Sequence, residues 1–469
     1  MGKTGIFSLI FIVSSILGAC SSGTTTNGEA ITLPTITLAA INSLQLPALN
    51  QMAVAQYDGY WLIIGGSNKG IHDFSYDDFN LNIYVFNPAT NQVFSESIGN
   101  TNIPLPVRQQ ITSLTPSFLQ YKNYLYIVGG YYNNSIESSD YTTLQIITSY
   151  NIPGMIKAII NHDPDLNSYI NYNTLEPAFK NAGGGLGVIN DSYYLALGQD
   201  CEGFYCTVLR KYNNTVYKFA TDPDLKSIVF ESFIYRSEST LSGFRRRDFN
   251  LVPFKLRGKQ TLLAMGGPFT SGSTALVWTN GIIFDANLNY NNSFINQQAN
   301  QYKDAFLAIN SQRNNYILDA TFSGFSNLYW AESGIEYSAL TPFGNILDLI
   351  KYDESNNTAT EYINNQPVCS NQTLDNCLYM GVGAVFIPVN DSYYDTRQVL
   401  QLDRLSGQTL VGYLYGGFSS TQQNVFGNSD SYATNQAYAV YVTPGSVSGT
   451  WINVTNLESG TPYTQSGSL

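Results

Sequence analysis

The feature that most limits what this chain can become is a short apolar run closed by glycine. It recurs as Tyr60-Trp-Leu-Ile-Ile-Gly65-Gly66, Tyr124-Leu-Tyr-Ile-Val-Gly129-Gly130, Tyr193-Tyr-Leu-Ala-Leu-Gly198, Thr261-Leu-Leu-Ala-Met-Gly266-Gly267 and Val411-Gly-Tyr-Leu-Tyr-Gly416-Gly417. A degenerate copy, Tyr316-Ile-Leu-Asp-Ala320, lies between the fourth and the fifth. A second apolar run precedes each copy, at 52–56, 117–120, 185–189, 249–254, 305–309 and 383–389, and alternating runs such as 81–86, 281–284 and 436–442 follow. Continuous apolar runs of this length read as strands buried on both faces. Small sheets packed face to face around an axis bury their inner strands in that way. Residues 33–458 are too many for one hydrophobic core unless a repeat divides them among several.

These residues resemble the kelch repeat, whose signature is an apolar strand ending in a glycine doublet, with Tyr and Trp further on. Lead-ins such as Leu105-Pro-Val-Arg108, Leu46-Pro-Ala-Leu and Glu176-Pro-Ala-Phe-Lys180 add to the likeness, and Trp451 in GTWINVTNL is the best match to the final strand. The resemblance covers nearly the whole chain and implies an all-β, kelch-like β-propeller. Six blades, beginning near 50, 115, 183, 247, 303 and 381, fit the spacing, with seven as the alternative. Kelch blades run about 50 residues, so insertions are expected: a helical 153–180, a loop–helix region 331–356, and 391–409 in the last blade. The segment 35–41 is expected to complete the ring by pairing with the C-terminal blade. NDSYY, at 190–194 and 390–394, reads as one strand–turn–strand joint used twice.

The N-terminus speaks about address. Lys3 precedes an apolar stretch, 6–17, too short for a permanent membrane helix of about 20 residues but suited to a signal peptide. It ends in Leu17-Gly18-Ala19-Cys20, which resembles the lipobox of bacterial lipoproteins. That likeness implies removal of 1–19, acylation of Cys20, a flexible tether over 20–32 and, with Ser21 next, anchoring at the outer membrane. Residues 459–469 read as a flexible tail. The other cysteines fall into two close pairs, Cys201 with Cys206 and Cys369 with Cys377. In an exported chain this favours two local disulfides. A four-cysteine zinc site, the alternative, ordinarily has tighter spacing.

A net charge of −12 opposes nucleic-acid binding. Only 12% of residues are charged, while Tyr, Asn, Ser and Gly abound, a surface suited to sugars and other neutral polar ligands. No cofactor or metal is expected. Galactose oxidase also has kelch-like blades, but its copper needs two His and a Cys-linked Tyr. Here His72 and His162 sit in separate loops, and no odd cysteine remains. Asp163-Pro-Asp165-Leu-Asn167 begins like a calcium loop but lacks its Gly and its Glu. Asp73, Asp77 and Asp78 read as a solvated acidic loop. Neither a nucleophile elbow nor a phosphate loop is present.

Arg245, Arg246 and Arg247 stand at the start of one blade, with Arg108 and Lys180 in comparable places in two others. Together at a channel mouth, these cations could hold a carboxylate; pairing with acids, or capping strand ends, is the plainer alternative. The function expected is a membrane-anchored binding or scaffold module for a protein or glycan. The alternative is a sugar-modifying enzyme, akin to the kelch enzymes that isomerise N-acetylneuraminate. A channel plugged by apolar side chains would count against the latter.

Overall fold

The computed structural model describes residues 33–41, 44–71, 78–133, 140–237, 242–270, 277–292, 295–302, 304–368, 381–389, 391–423, 431–445 and 450–455. The chain is all-β, and its repeated four-stranded antiparallel sheets are consistent with a β-propeller-like fold. In chain order, the sheets begin with the strands Ala53–Tyr57, Ser117–Tyr121, Gly185–Ile189, Asn250–Leu256, Ala305–Ser311 and Val385–Pro388. Each of these first strands pairs antiparallel with the repeat strand after it, which ends at glycine in every sheet but the fifth.

Tight turns set the register. Asp58-Gly59 and Arg257-Gly258 have positive φ at both positions (50° and 78°; 50° and 76°), the geometry that matches the twist of a two-residue hairpin. The glycines at the far end do a different job. The N–H of Gly130 donates to Asn181 O at 2.8 Å, and a Cβ on Gly129 (φ +65°) would lie 1.8 Å from that oxygen. The end of the second sheet thus touches the lead-in to the third. At the degenerate copy the glycine has changed sides: a Cβ on Gly381 (φ +102°) would lie 1.7 Å from Ser323 O.

The apolar residues divide into separate clusters between sheets. Tyr126 and Val128 of the second sheet meet Leu186, Leu195 and Phe219 of the third. Leu263 and Met265 of the fourth meet Ile317, Ile350 and Tyr352 of the fifth. Trp61 and Ile63 of the first meet Val385, Ile387 and Tyr415 of the sixth.

Thr35–Ile41 pairs along its whole length with Ala437–Thr443 and forms the outer strand of the sixth sheet, as expected. Other expectations change. The region 331–356 contains strands, Gly334–Tyr337 and Leu347–Asp353, and no helix. Ile152–Ile160 is a helix, but the same stretch also supplies Ile170–Asn173, the outer strand of the second sheet. Trp451–Asn453 joins Thr358–Asn364 of the fifth sheet, and the Trp451 indole N–H bonds Pro34 O at 2.9 Å. The two NDSYY copies differ: the first is a hairpin turn, whereas Asp391–Tyr393 of the second is a 3-10 turn opening the 391–409 insertion.

Candidate ligand-binding cavity

All six first strands contribute residues to the lining of a cavity of about 280 Å³, close to the lower end of the roughly 300–1,000 Å³ usual for small-ligand sites. They run side by side in the same sense. Asp248 N donates to Gly183 O at 2.7 Å, Gly183 N to Thr115 O at 2.8 Å and Gln51 N to Gly383 O at 3.0 Å, all where the strands begin. Where they finish, the Gln120 amide donates to Gln56 O and accepts from Gln56 N, both at 2.8 Å.

The two ends differ in chemistry. Gln51, Thr115, Asp248 and Asp304 line the first, where Ile71, Val277, Phe325, Phe343 and Phe418, from loops of four sheets, gather into one apolar cluster. The middle is apolar: Phe118, Leu119, Leu251, Phe306, Leu307 and Phe386. Pro253 and Pro388 near the other end carry no N–H, which an inner edge strand tolerates.

Among the described residues, four buried polar atoms on this wall lack a hydrogen-bond partner: Gln51 Oε1, Ser117 Oγ, Asp304 Oδ2 and Arg397 Nε. Such atoms are uncommon in folded interiors and call for a water or a ligand. Asp304 accepts a hydrogen bond from the Asn250 amide at its other oxygen. Burial pushes its carboxyl up to about 7, against the opposing pull of that bond. Behind it, on one face of the fifth sheet, Asp319 and Asp348 are held well above the carboxylate range by burial and by neighbouring acids.

Arg397 arrives from the 391–409 insertion. A turn fixes it: Asp395 Oδ1 accepts from the N–H of Arg397 at 2.8 Å and of Val399 at 3.1 Å. Leu400–Gln401 then runs parallel to the fifth sheet's first strand, and Val399 is buried against Val252 and Ala308. The guanidinium side chain, 7% exposed, donates from Nη1 to Phe254 O at 3.2 Å. Its Nη2 stands 3.8 Å from Asp395 Oδ2, beyond hydrogen-bonding distance. Burial pulls the guanidinium below its usual range, with Asp395 pulling the other way. Sequence reading passed over Arg397 because it lies in an insertion, away from any strand start. The one sequence signal was an Arg among Tyr394, Val399 and Leu400.

None of the five cations singled out from sequence is among the residues lining the cavity. Arg108 lies on the helix Leu105–Ile111 and donates to Ile103 O at 2.6 Å and Thr101 O at 2.7 Å. Lys180 pairs with Asp200 at 3.0 Å and Glu202 at 3.1 Å. Arg245 donates to Phe269 O and lies 4.1 Å over the Tyr212 ring. Arg247 pairs with Asp248. Arg246 is fully buried, bonded to Ala264 O at 3.1 Å and Asn280 O at 2.9 Å, with its guanidinium lowered to about 9 by burial. These side chains fasten turns and neighbouring segments.

Cys201 and Cys206 are at disulfide-bonding distance, their Cα atoms 4.9 Å apart. Cys20, Cys369, Cys377, His72, Asp73 and Asp77 lie outside the described residues. His162 Nδ1 is 2.7 Å from Glu96, and Asp165 N bonds Asp163 in a surface turn. Among the described residues, no group of three or more His, Cys, Asp or Glu could hold a metal, and no helix is long and apolar enough to cross a membrane. Compared with known proteins, the chain matches no family model and no curated sequence.

Proposed function

We propose that the six sheets are the blades of a closed, kelch-type propeller, exported and anchored through lipid on Cys20 at the outer membrane, and that it is a binding protein. The ring reading rests on the apolar clusters between successive sheets, the sixth against the first included. The address rests on the lipobox-like LGAC. In place of the protein or glycan expected from the sequence, the ligand proposed is a small molecule held in the cavity lined by the first strands.

One observation carries this reading: an apolar wall on which a few polar atoms stand without partners. A site of that make-up holds and orients a molecule. The test is native mass spectrometry of the exported Cys20→Ala chain against a library of small metabolites. A bound species that is lost in Phe306→Trp, which narrows the cavity, supports the reading. Retention of every species by that variant refutes it.

The sugar-modifying alternative draws on Asp304, a cavity carboxyl pushed up to about 7 and so able to move a proton near neutral pH. Catalysis of sugar anomerisation seen by NMR, abolished in Asp304→Asn, would favour it. Unaccelerated exchange would leave the binding reading.

A further inference from the structure

We propose that the cavity takes a small apolar monocarboxylate, with its carboxylate on Arg397 and its body against Phe118, Phe306 and Phe386; this rests on the reading of the cavity as a ligand site. Arg397 is the only Lys or Arg on the cavity wall among the described residues. A guanidinium grips a carboxylate side-on through Nε and Nη2, two parallel charge-assisted bonds. On Arg397 that edge is unused, since Nε has no partner and Nη2 is 3.8 Å from Asp395 Oδ2. The opposite nitrogen, Nη1, is tied to Phe254 O, which fixes the fork. A buried cation so weakly compensated is costly to keep, and an incoming carboxylate would neutralise it.

The rest of the wall selects the body. The three phenylalanines are half-buried and line the cavity. Pro253, next to the Phe254 whose carbonyl Arg397 bonds, and Pro388 withhold backbone donors from the wall. At the far end Asp248 is already paired with Arg247 and Asp304 accepts from the Asn250 amide, and among the described residues no second Lys or Arg lines the wall to hold a further anionic group in a low-dielectric space. The site therefore favours one carboxylate over two, and an apolar frame over a polyol.

Isothermal titration of the exported Cys20→Ala chain with 2-naphthoate, 2-naphthol and 2,6-naphthalenedicarboxylate tests this. The expected order is naphthoate tightest, by about tenfold or more over naphthol, with the dicarboxylate weakest. Arg397→Met should weaken naphthoate by about 10- to 100-fold, the loss of a charge-assisted pair, and leave naphthol unchanged. Arg397→Lys should restore only part. Equal affinity for naphthoate and naphthol, or an Arg397→Met chain that folds and binds naphthoate like the parent, overturns the proposal. If both bind equally and Phe306→Trp abolishes both, the cavity reading survives and the carboxylate assignment falls. Binding of neither overturns both.

Discussion

The backbone N–H of Gly417, in the sixth sheet, donates to Leu49 O, just ahead of the first sheet's first strand, at 2.8 Å. The same joint links the second sheet to the third, through Gly130 and Asn181. At these two joints a glycine doublet fastens one sheet to the entry of another, and its absent side chains leave room for the carbonyl.

Gly129→Ala should destabilise the fold by about 2–4 kcal/mol. Strained backbone at positive φ costs about 1–3 kcal/mol, and the new Cβ, 1.8 Å from Asn181 O, adds a clash. Gly59→Ala, also at positive φ but with nothing within 4 Å, should cost about 1 kcal/mol. Urea denaturation of the two variants checks the contrast; equal losses would deny the close approach its role.

Arg246→Met should cost about 3 kcal/mol or more, because it strips partners from Ala264 O and the Asn280 side chain in a buried site. Arg246→Lys should rescue little, since a point charge cannot span acceptors that a planar fork reaches together. Thermal melting reads the loss. Ligand affinity of the folded fraction should stay unchanged, because Arg246 does not line the cavity.

Stability should fall as pH rises. Asp304 and Glu361 are raised to about 7, and Asp319 and Asp348 are held well above the ordinary carboxylate value, all chiefly by burial. Above about pH 4 the unfolded chain has released protons that the native state keeps, so the native state loses ground with each step up to its own, higher pKa values. Each unit of raised pKa corresponds to about 1.4 kcal/mol. Asp165 and Asp191 are shifted the other way, but they stand in solvent, where such effects are weak. The melting temperature should be higher at pH 5 than at pH 8, with a flatter profile in Asp319→Asn. A parent protein that melts higher at pH 8 would contradict this.

Thiol labelling of the denatured, unreduced protein should find neither Cys201 nor Cys206 free. Cys206→Ser should cost about 2 kcal/mol, the loop-closure value for so short a ring. The anchor has its own check: Cys20→Ala should shift the protein out of the detergent phase in phase partitioning, and unchanged partitioning would refute lipidation.

The repeat was legible because its physics is local. An apolar run such as Tyr124–Val128 needs burial on both faces wherever it lies, and Gly129-Gly130 marks its end. Thr35–Ile41 could be matched to the C-terminal sheet as a strand otherwise without a partner. What escaped depends on distant contacts. Asp319 looked like decay of the repeat, yet it is a buried acid on the face that also carries Asp348. Arg397 reaches the cavity because Gln401 lies beside Asn310, 91 positions earlier in the chain. The arginines at 245–247 looked like a binding cluster because charge is scarce, but their partners are carbonyls and a neighbouring carboxylate that the fold brings in.

A crystal structure of the protein soaked with 2-naphthoate tests the central claim most directly. The expected result is six sheets around one axis, with the carboxylate of the bound molecule side-on to Arg397 and its rings beside Phe306 and Phe386. Sheets that leave the axis open on one side, or a cavity filled by the protein's own side chains with the acid bound elsewhere, would contradict it.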